Sequence, residues 1–185
     1  MIDKKQFLEI RKELEAFEES REKVISGSRD IIKLSKQIIS GLHRDNVDKK
    51  LISEITSKIK KLPKDHFDTG MGNVAVQEYV EAICFYDFVV KGKVPSYKEL
   101  NVDVQSYLLG LSDLSGELVR KGVNSVINKD YKMTIKIKDF VTELYNEFLQ
   151  FTLRNGDLRR KVDEMKWNLK KLEDVAYDLS IKGKI

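Results

Sequence analysis

The chain is 185 residues long, 35% charged and 41% hydrophobic, with two prolines and a formal net charge of +4. That length suits one sizeable domain over 1–185, and the composition suits amphipathic helices rather than a sandwich or barrel. No run of about 18 apolar residues is present to cross a bilayer, the N-terminus is charged where a secretory signal has its apolar core, and the single Cys84 has no internal disulfide partner; a cytoplasmic protein with no membrane partner is expected.

From about Asp3 to Leu42 apolar residues recur at helical spacing, with Val24, Ile25, Ile31, Ile32, Ile38, Ile39 and Leu42 on one stripe and the small Ser28 and Ser35 among them. A helix of about 40 residues spans about 60 Å, more than the width of a compact domain of this size, so part of it must project or meet another subunit. Within 21–44 the bases Arg21, Lys23, Arg29, Lys33, Lys36 and Arg44 face only Glu22 and Asp30. Arg29, Lys33 and Lys36 align opposite Ile31 and Ile38, with Arg21 nearly in line. Such a line can track a sugar-phosphate backbone; it can equally be a solvated face or a ladder with the acids of a neighbouring helix.

A polar break at 41–46 precedes a second helix, about Val47 to Lys61, with Leu51, Ile52, Ile55 and Ile59 apolar and Leu62-Pro63 ending it. Residues 64–72 have no period and read as a surface loop, with His66 an ordinary surface residue. The third helix, about Asn73 to Val90, carries a buried stripe of Val76, Tyr79, Val80, Ile83, Tyr86 and Val90, with Glu78, Glu81 and Phe85 on another face. Tyr79, Phe85 and Tyr86 read as core, and base stacking is the alternative. Lys91 to Pro95 is a turn, and Ser96 caps a short turn ending near Leu100. Asp103 starts a long helix reaching about Asn128, in which Gly110, Gly116 and Gly122 each cost about 1 kcal/mol against alanine and so imply crowded backbones. A sixth helix is expected over about Lys136 to Leu153, terminated by Arg154-Asn155-Gly156. The last runs from about Leu158 to Ile181, capped by Asp157, with Val162, Met165, Leu169, Leu172, Val175, Ala176 and Leu179 forming a packing seam. The fold class is all-α, an elongated bundle of about seven helices.

Two acidic pairs stand out: Glu78 and Glu81 on the third helix, Asp113 and Glu117 on the fifth. Each pair lies on one helix face, in a markedly apolar helix. Carboxylates brought together must separate into solvent, pair with bases, take up protons or hold a hard cation such as Mg²⁺, and the sequence leaves these four outcomes open. Arg120 and Asn124 continue the line of Asp113 and Glu117; Arg120 is placed to pair with an acid or to grip a phosphate. A di-iron centre needs Glu-x-x-His pairs, which neither His43 nor His66 supplies. No phosphate-binding glycine loop, dinucleotide fingerprint, zinc-spaced cysteine set or nucleophile elbow is present.

Three blocks carry a family resemblance. The first runs from Arg21-Glu22-Lys23-Val24-Ile25 through Ser28-Arg29-Asp30-Ile31 to Leu42-His43-Arg44, and the second is Gln77-Glu78-Tyr79-Val80-Glu81-Ala82. The third and most specific is Tyr107-Leu108-Leu109-Gly110-Leu111-Ser112-Asp113-Leu114-Ser115-Gly116-Glu117-Leu118-Val119-Arg120, continued by Val123-Asn124-Ser125-Val126. Over nearly its full length the chain resembles the translin and translin-associated factor X family. Its closing segment, from Leu158 to Ser180, looks closer to translin.

The resemblance implies an all-helical protomer that assembles into a hollow octamer with nucleic acid on its inner surface. Glu78, Glu81, Asp113 and Glu117 match the catalytic, metal-binding acids of the factor X branch, which implies a prokaryotic relative of that branch. The expected activity is a Mg²⁺-dependent endoribonuclease, a phosphodiester hydrolase with Mn²⁺ as a substitute ion, acting on single-stranded RNA and also on single-stranded DNA within a homo-oligomer. Arg21, Arg29, Lys33 and Lys36 are expected to bind the nucleic-acid backbone and Arg120 the phosphate. The alternative is a non-catalytic single-strand-binding protein of the translin type; a purely structural assembly protein is the third reading.

Overall fold

The computed structural model describes residues 2–63 and 70–185. Its helices are α1 (Lys4–His43), α2 (Lys49–Lys61), α3 (Met71–Lys91), α4 (Tyr97–Leu100), α5 (Val104–Ile127), α6 (Tyr131–Phe148) and α7 (Asp157–Ile181), and no strand occurs among the described residues. The all-α bundle expected from the sequence is the fold observed. Among the described residues no helix is long and apolar enough to cross a membrane. His66 and most of the expected loop lie outside the described residues, and that loop ends earlier than expected, since α3 already begins at Met71.

Side-chain caps satisfy the amide groups that a helix start leaves without partners. Asp3 accepts from the amide of Lys5 at 2.9 Å, Asp48 from Lys50 at 2.8 Å, and Asp103 from Ser106 at 2.9 Å. Ser96 and Glu99 form a reciprocal capping box on the single turn of α4. α3 instead lies between two left-handed glycines, Gly70 at φ +67° and Gly92 at φ +75°.

α6 starts and stops five residues before its expected position. Asp130 caps it by accepting from the amide of Met133 at 3.1 Å, and the Thr134 hydroxyl donates to Gly122 of α5 at 3.0 Å, which draws the first turn against its neighbour. The helix ends at Phe148, without a glycine or proline, and the Phe148 ring meets Phe151 edge-on at 5.8 Å. Arg154-Asn155-Gly156 therefore precedes α7 rather than ending α6. Asp157 is the first residue of α7 and Gly156 occupies its cap position, so the expected Asp157 cap is not formed.

α3 lies between α1 and α5, α5 also packs on α6 and α7, and α2 rests on α1. One core runs through the stack: Ile31 and Ile38 of α1, Phe85 and Phe88 of α3, Leu114 and Leu118 of α5, Ile137 of α6, and Met165 and Leu172 of α7 are all fully buried. Each such side chain contributes about 1.5–3 kcal/mol by leaving water. Ser28 and Ser35 are completely buried within the α1 stripe, as close helix approach requires. Because α3 is covered on two sides, its burial is wider than one stripe: Phe85 belongs to the core, while Val90, expected inside, is 57% exposed.

Two of the three glycines of α5 mark crowded backbone. A Cβ on Gly110 stands 2.7 Å from the Cβ of Val80 and 2.8 Å from the carbonyl of Gln77, and one on Gly122 meets Leu172 at 3.0 Å. Gly116 departs from the expectation, since its nearest neighbour, Asn168 Nδ2, is 3.8 Å away. The contact at Gly110 brings α3 and α5 together one turn from both acidic pairs.

Candidate active site

Glu78 and Glu81 of α3 face Asp113 and Glu117 of α5 closely enough for their charges to act on one another. Burial, then the negative charges of Asp113, Glu78 and Glu117, push the Glu81 carboxyl up to about 8, with Lys161 opposing. Burial also raises Glu78, and Lys36 of α1 is the largest influence in the other direction. Neither acid makes a hydrogen bond or ion pair among the described residues. Glu81 follows the proton-uptake outcome left open by the sequence, and Glu78 is shifted in the same direction.

Asp113 and Glu117 follow the pairing outcome. The ammonium of Lys161, from α7, bonds both carboxylate oxygens of Asp113. His43 Nε2 bonds Glu117 Oε2, and Arg120 lies 3.8 Å from the same oxygen. The His43 contact, more than Arg120, holds Glu117 below the ordinary carboxylate range against the effect of burial. Arg120 is 64% exposed along its side chain and remains accessible from solvent.

His43 is the last residue of α1, with its side chain only 4% exposed and its ring 5.2 Å from that of Phe85. Its Nδ1 is buried with no partner, so a proton on Nε2 donated to the carboxylate is the arrangement that strands no donor. The end of α1 is fixed by the buried Lys121, which donates to the carbonyl of Leu42 at 2.9 Å and pairs with Asp45. α7 is fixed on α5 by Asn168, which donates to Ser115 Oγ at 2.9 Å. Sequence reading missed both His43 and Lys161. The only local signal was that Leu42-His43-Arg44 closed the first family block and that Lys161 lay within the closing segment from Leu158 to Ser180.

Donor chemistry fits a hard divalent cation, because all four acids offer carboxylate oxygen in surroundings where burial leaves negative charge poorly solvated. Among the described residues, however, no three acid, histidine or cysteine side chains are grouped to hold an ion. Two of the four carboxylates already have partners in Lys161 and His43.

The basic line of α1 borders this centre. Arg29, Lys33, Lys36 and Arg44 line an open groove of about 890 Å³ between α1 and the start of α2, with Ile32 and Leu51 as part of its floor. Arg21 lies outside the groove and pairs along its own helix with Glu18 and Glu22 at 3.6 and 3.8 Å. The expected alternative of a ladder with acids of a neighbouring helix runs the other way, since Lys58 of α2 pairs with Asp30 of α1 at 2.8 Å. Tyr79 and Phe85 are buried in the core, which leaves them unavailable for base stacking.

Residues 19–183 match the sequence pattern of the Translin family. Translin of Gallus gallus is 42% identical over 83 residues, covering 45% of this chain and 36% of that protein, so the match spans little more than a third of the length of this relative. Translin-associated protein X of Mus musculus is 25% identical over 229 residues, covering 96% of this chain and 78% of that protein. Among solved structures, apo-NeC3PO superposes with a TM-score of 0.87 at 31% identity, covering 96% of this chain and 97% of that one. The complex of AfC3PO with duplex RNA superposes with a TM-score of 0.82 at 26% identity, covering 96% of this chain and 97% of that one.

Proposed function

This chain belongs to the translin family, and from that premise we propose that it is a Mg²⁺-dependent endoribonuclease acting on single-stranded RNA within a homo-oligomer. The observation that carries the reading is the meeting of Glu78 and Glu81 with Asp113 and Glu117 across the α3–α5 contact, beside a basic groove. Those four residues are the proposed metal holders, with Mn²⁺ as a substitute. When bound, the ion supplies charge stabilisation to the phosphodiester as it is cleaved.

The chain's own residues bind and orient. Arg29, Lys33 and Lys36 attract the phosphates of a strand laid along the groove, and Lys36 brings that strand to Glu78, whose carboxyl it influences. Arg120, exposed beside Glu117, orients the phosphate at the acidic centre. Near neutral pH the Glu81 carboxyl holds its proton, which limits the negative charge that the four acids bring together. AfC3PO is solved with duplex RNA, so duplex RNA and single-stranded DNA are ligands to test beside single-stranded RNA.

Assembly is part of the proposal. The first sixteen residues of α1 are exposed, among them Phe7, Ile10 and Leu14 at heptad spacing. An apolar stripe of this kind is suited to a second copy. An octamer is the expected size, and light scattering of the purified chain measures it.

Cleavage of end-labelled single-stranded RNA, compared in Mg²⁺ and in chelator, tests the activity. Glu81→Gln is expected to abolish cleavage while RNA binding persists. One observation favours the second reading, a non-catalytic binding protein: Asp113 and Glu117 are already satisfied by Lys161 and His43. Binding that persists with no cleavage in Mg²⁺ above a protein-free control selects that reading.

A further inference from the structure

Among the described residues, four cationic or proton-bearing side chains face the acidic centre: Lys36 and His43 from α1, Arg120 from α5 and Lys161 from α7. Lys161 differs from the others in its geometry. Its ammonium spans both oxygens of Asp113, and its side chain is only 20% exposed. The stem is anchored, because the next residue, Val162, is buried and Met165 and Leu169 follow it into the core. One heptad further on, the bond from Asn168 to Ser115 holds the register of α7 against α5. Lys161 is therefore built into the centre by two packed helices. Its charge also reaches Glu78 and Glu81.

A small divalent cation binds carboxylate oxygen at about 2.0–2.1 Å and brings two positive charges to it. An ammonium engaging both oxygens of the same carboxylate occupies the approach and repels the incoming ion at short range. The flexible four-carbon stem of lysine allows the ammonium to withdraw without moving the helix. Resting on the metal-dependent reading above, we infer that Lys161 is a built-in counter-ion of Asp113 that a divalent cation must displace on entering the acidic centre. Metal affinity is then set by a competition between two cations of this site, and metal entry frees an ammonium beside the reacting phosphate.

The decisive measurement uses the intact wild-type chain. Lysine acetylation by an N-hydroxysuccinimide ester is followed residue by residue by mass spectrometry, in Mg²⁺ and in chelator. Lys161 is expected to react several-fold faster in Mg²⁺, while the exposed Lys12 keeps its rate. An unchanged rate at Lys161 under Mg²⁺ saturation overturns the inference. Calorimetric titration with Mn²⁺ separates this failure from that of the underlying reading. Lys161→Met is expected to bind about tenfold or more tightly than wild type, with Lys161→Arg close to wild type. Mn²⁺ binding to wild type with no change in Lys161 labelling overturns the counter-ion role alone. Absence of Mn²⁺ binding in wild type and in Lys161→Met overturns both. If Lys161→Met does not fold, wild-type labelling still decides.

Discussion

His43 and Glu117, 74 residues apart in the chain, are joined by a hydrogen bond from the imidazole Nε2 to the carboxylate, and through it the end of α1 is tied to the middle of α5. The bond gives a buried histidine a structural and an electrostatic task together. It orients one proposed metal holder and keeps it ionised, while its neighbour Glu81, lacking such a donor, resists ionisation. The centre thus contains one carboxylate tuned down, Glu117, and two tuned up, Glu78 and Glu81, by their surroundings.

Replacing His43 by alanine removes this donor and leaves a cavity against Phe85. The expected loss is about 2–4 kcal/mol, combining a truncated buried ring with a lost hydrogen bond to a charged group. Urea unfolding measures it. His43→Gln, which keeps an amide donor near the Nε2 position, is expected to recover part of the loss. Equal stability of the alanine and glutamine variants would show that a donor to Glu117 contributes nothing here.

Glu81 makes stability depend on pH in an unusual direction. In the unfolded chain its carboxyl ionises near the ordinary 4.5, whereas in the folded protein it holds its proton up to about 8. Between those values the native state binds more protons than the unfolded state, so stability falls as pH rises through the window and levels off above it. In chelator, the melting temperature of wild type is expected to drop by roughly 4 °C or more between pH 5 and 8 relative to Glu81→Gln, whose neutral amide does not titrate. Parallel pH profiles for the two proteins would count against the assignment.

The glycines of α5 give a paired test. Gly110→Ala places a methyl group 2.7–2.8 Å from Val80 and the backbone of Gln77, and neither a packed β-branched carbon nor a helix carbonyl can step aside. Overpacking of this kind costs about 1–3 kcal/mol and pushes α3 from α5 at the residue preceding Glu78, so cleavage is expected to fall with stability. Gly116→Ala meets only ordinary contact at 3.8 Å and is expected to stabilise the helix by about 0.5–1 kcal/mol. Thermal melts of the two variants, moving in opposite directions, check both statements.

What the sequence made legible and what it hid divide by range. The helical periods of α1, α3, α5 and α7 survive in the fold because each apolar stripe meets a core, and Ser96 and Asp103 cap as their residue types suggest. α6 was misplaced because its stop carries no glycine or proline, while Arg154-Asn155-Gly156 offered a strong stop signal that belongs to the start of α7. The acids of the centre were legible as i,i+3 and i,i+4 pairs. Their partners were not: Lys161 lies 48 residues from Asp113 and His43 lies 74 from Glu117, and no local pattern reports which side chain a distant helix will deliver. Gly116 misled for the same reason, since its spacing matches Gly110 and Gly122 but its surroundings do not.

The basic groove is tested by salt. Each phosphate neutralised by a lysine or arginine releases counter-ions, and on single strands the slope of log affinity against log salt changes by about 0.7 per contact. Lys33→Ala combined with Lys36→Ala is therefore expected to weaken binding of single-stranded RNA at low salt and to flatten that slope by about 1.4. Arg21→Ala should leave it nearly unchanged, because Arg21 is outside the groove and engaged with Glu18 and Glu22. Fluorescence anisotropy over a salt series gives both slopes. A larger effect from Arg21 than from the lysine pair would move the path of the strand from the α1–α2 groove toward the exposed first half of α1, and with it away from Glu78.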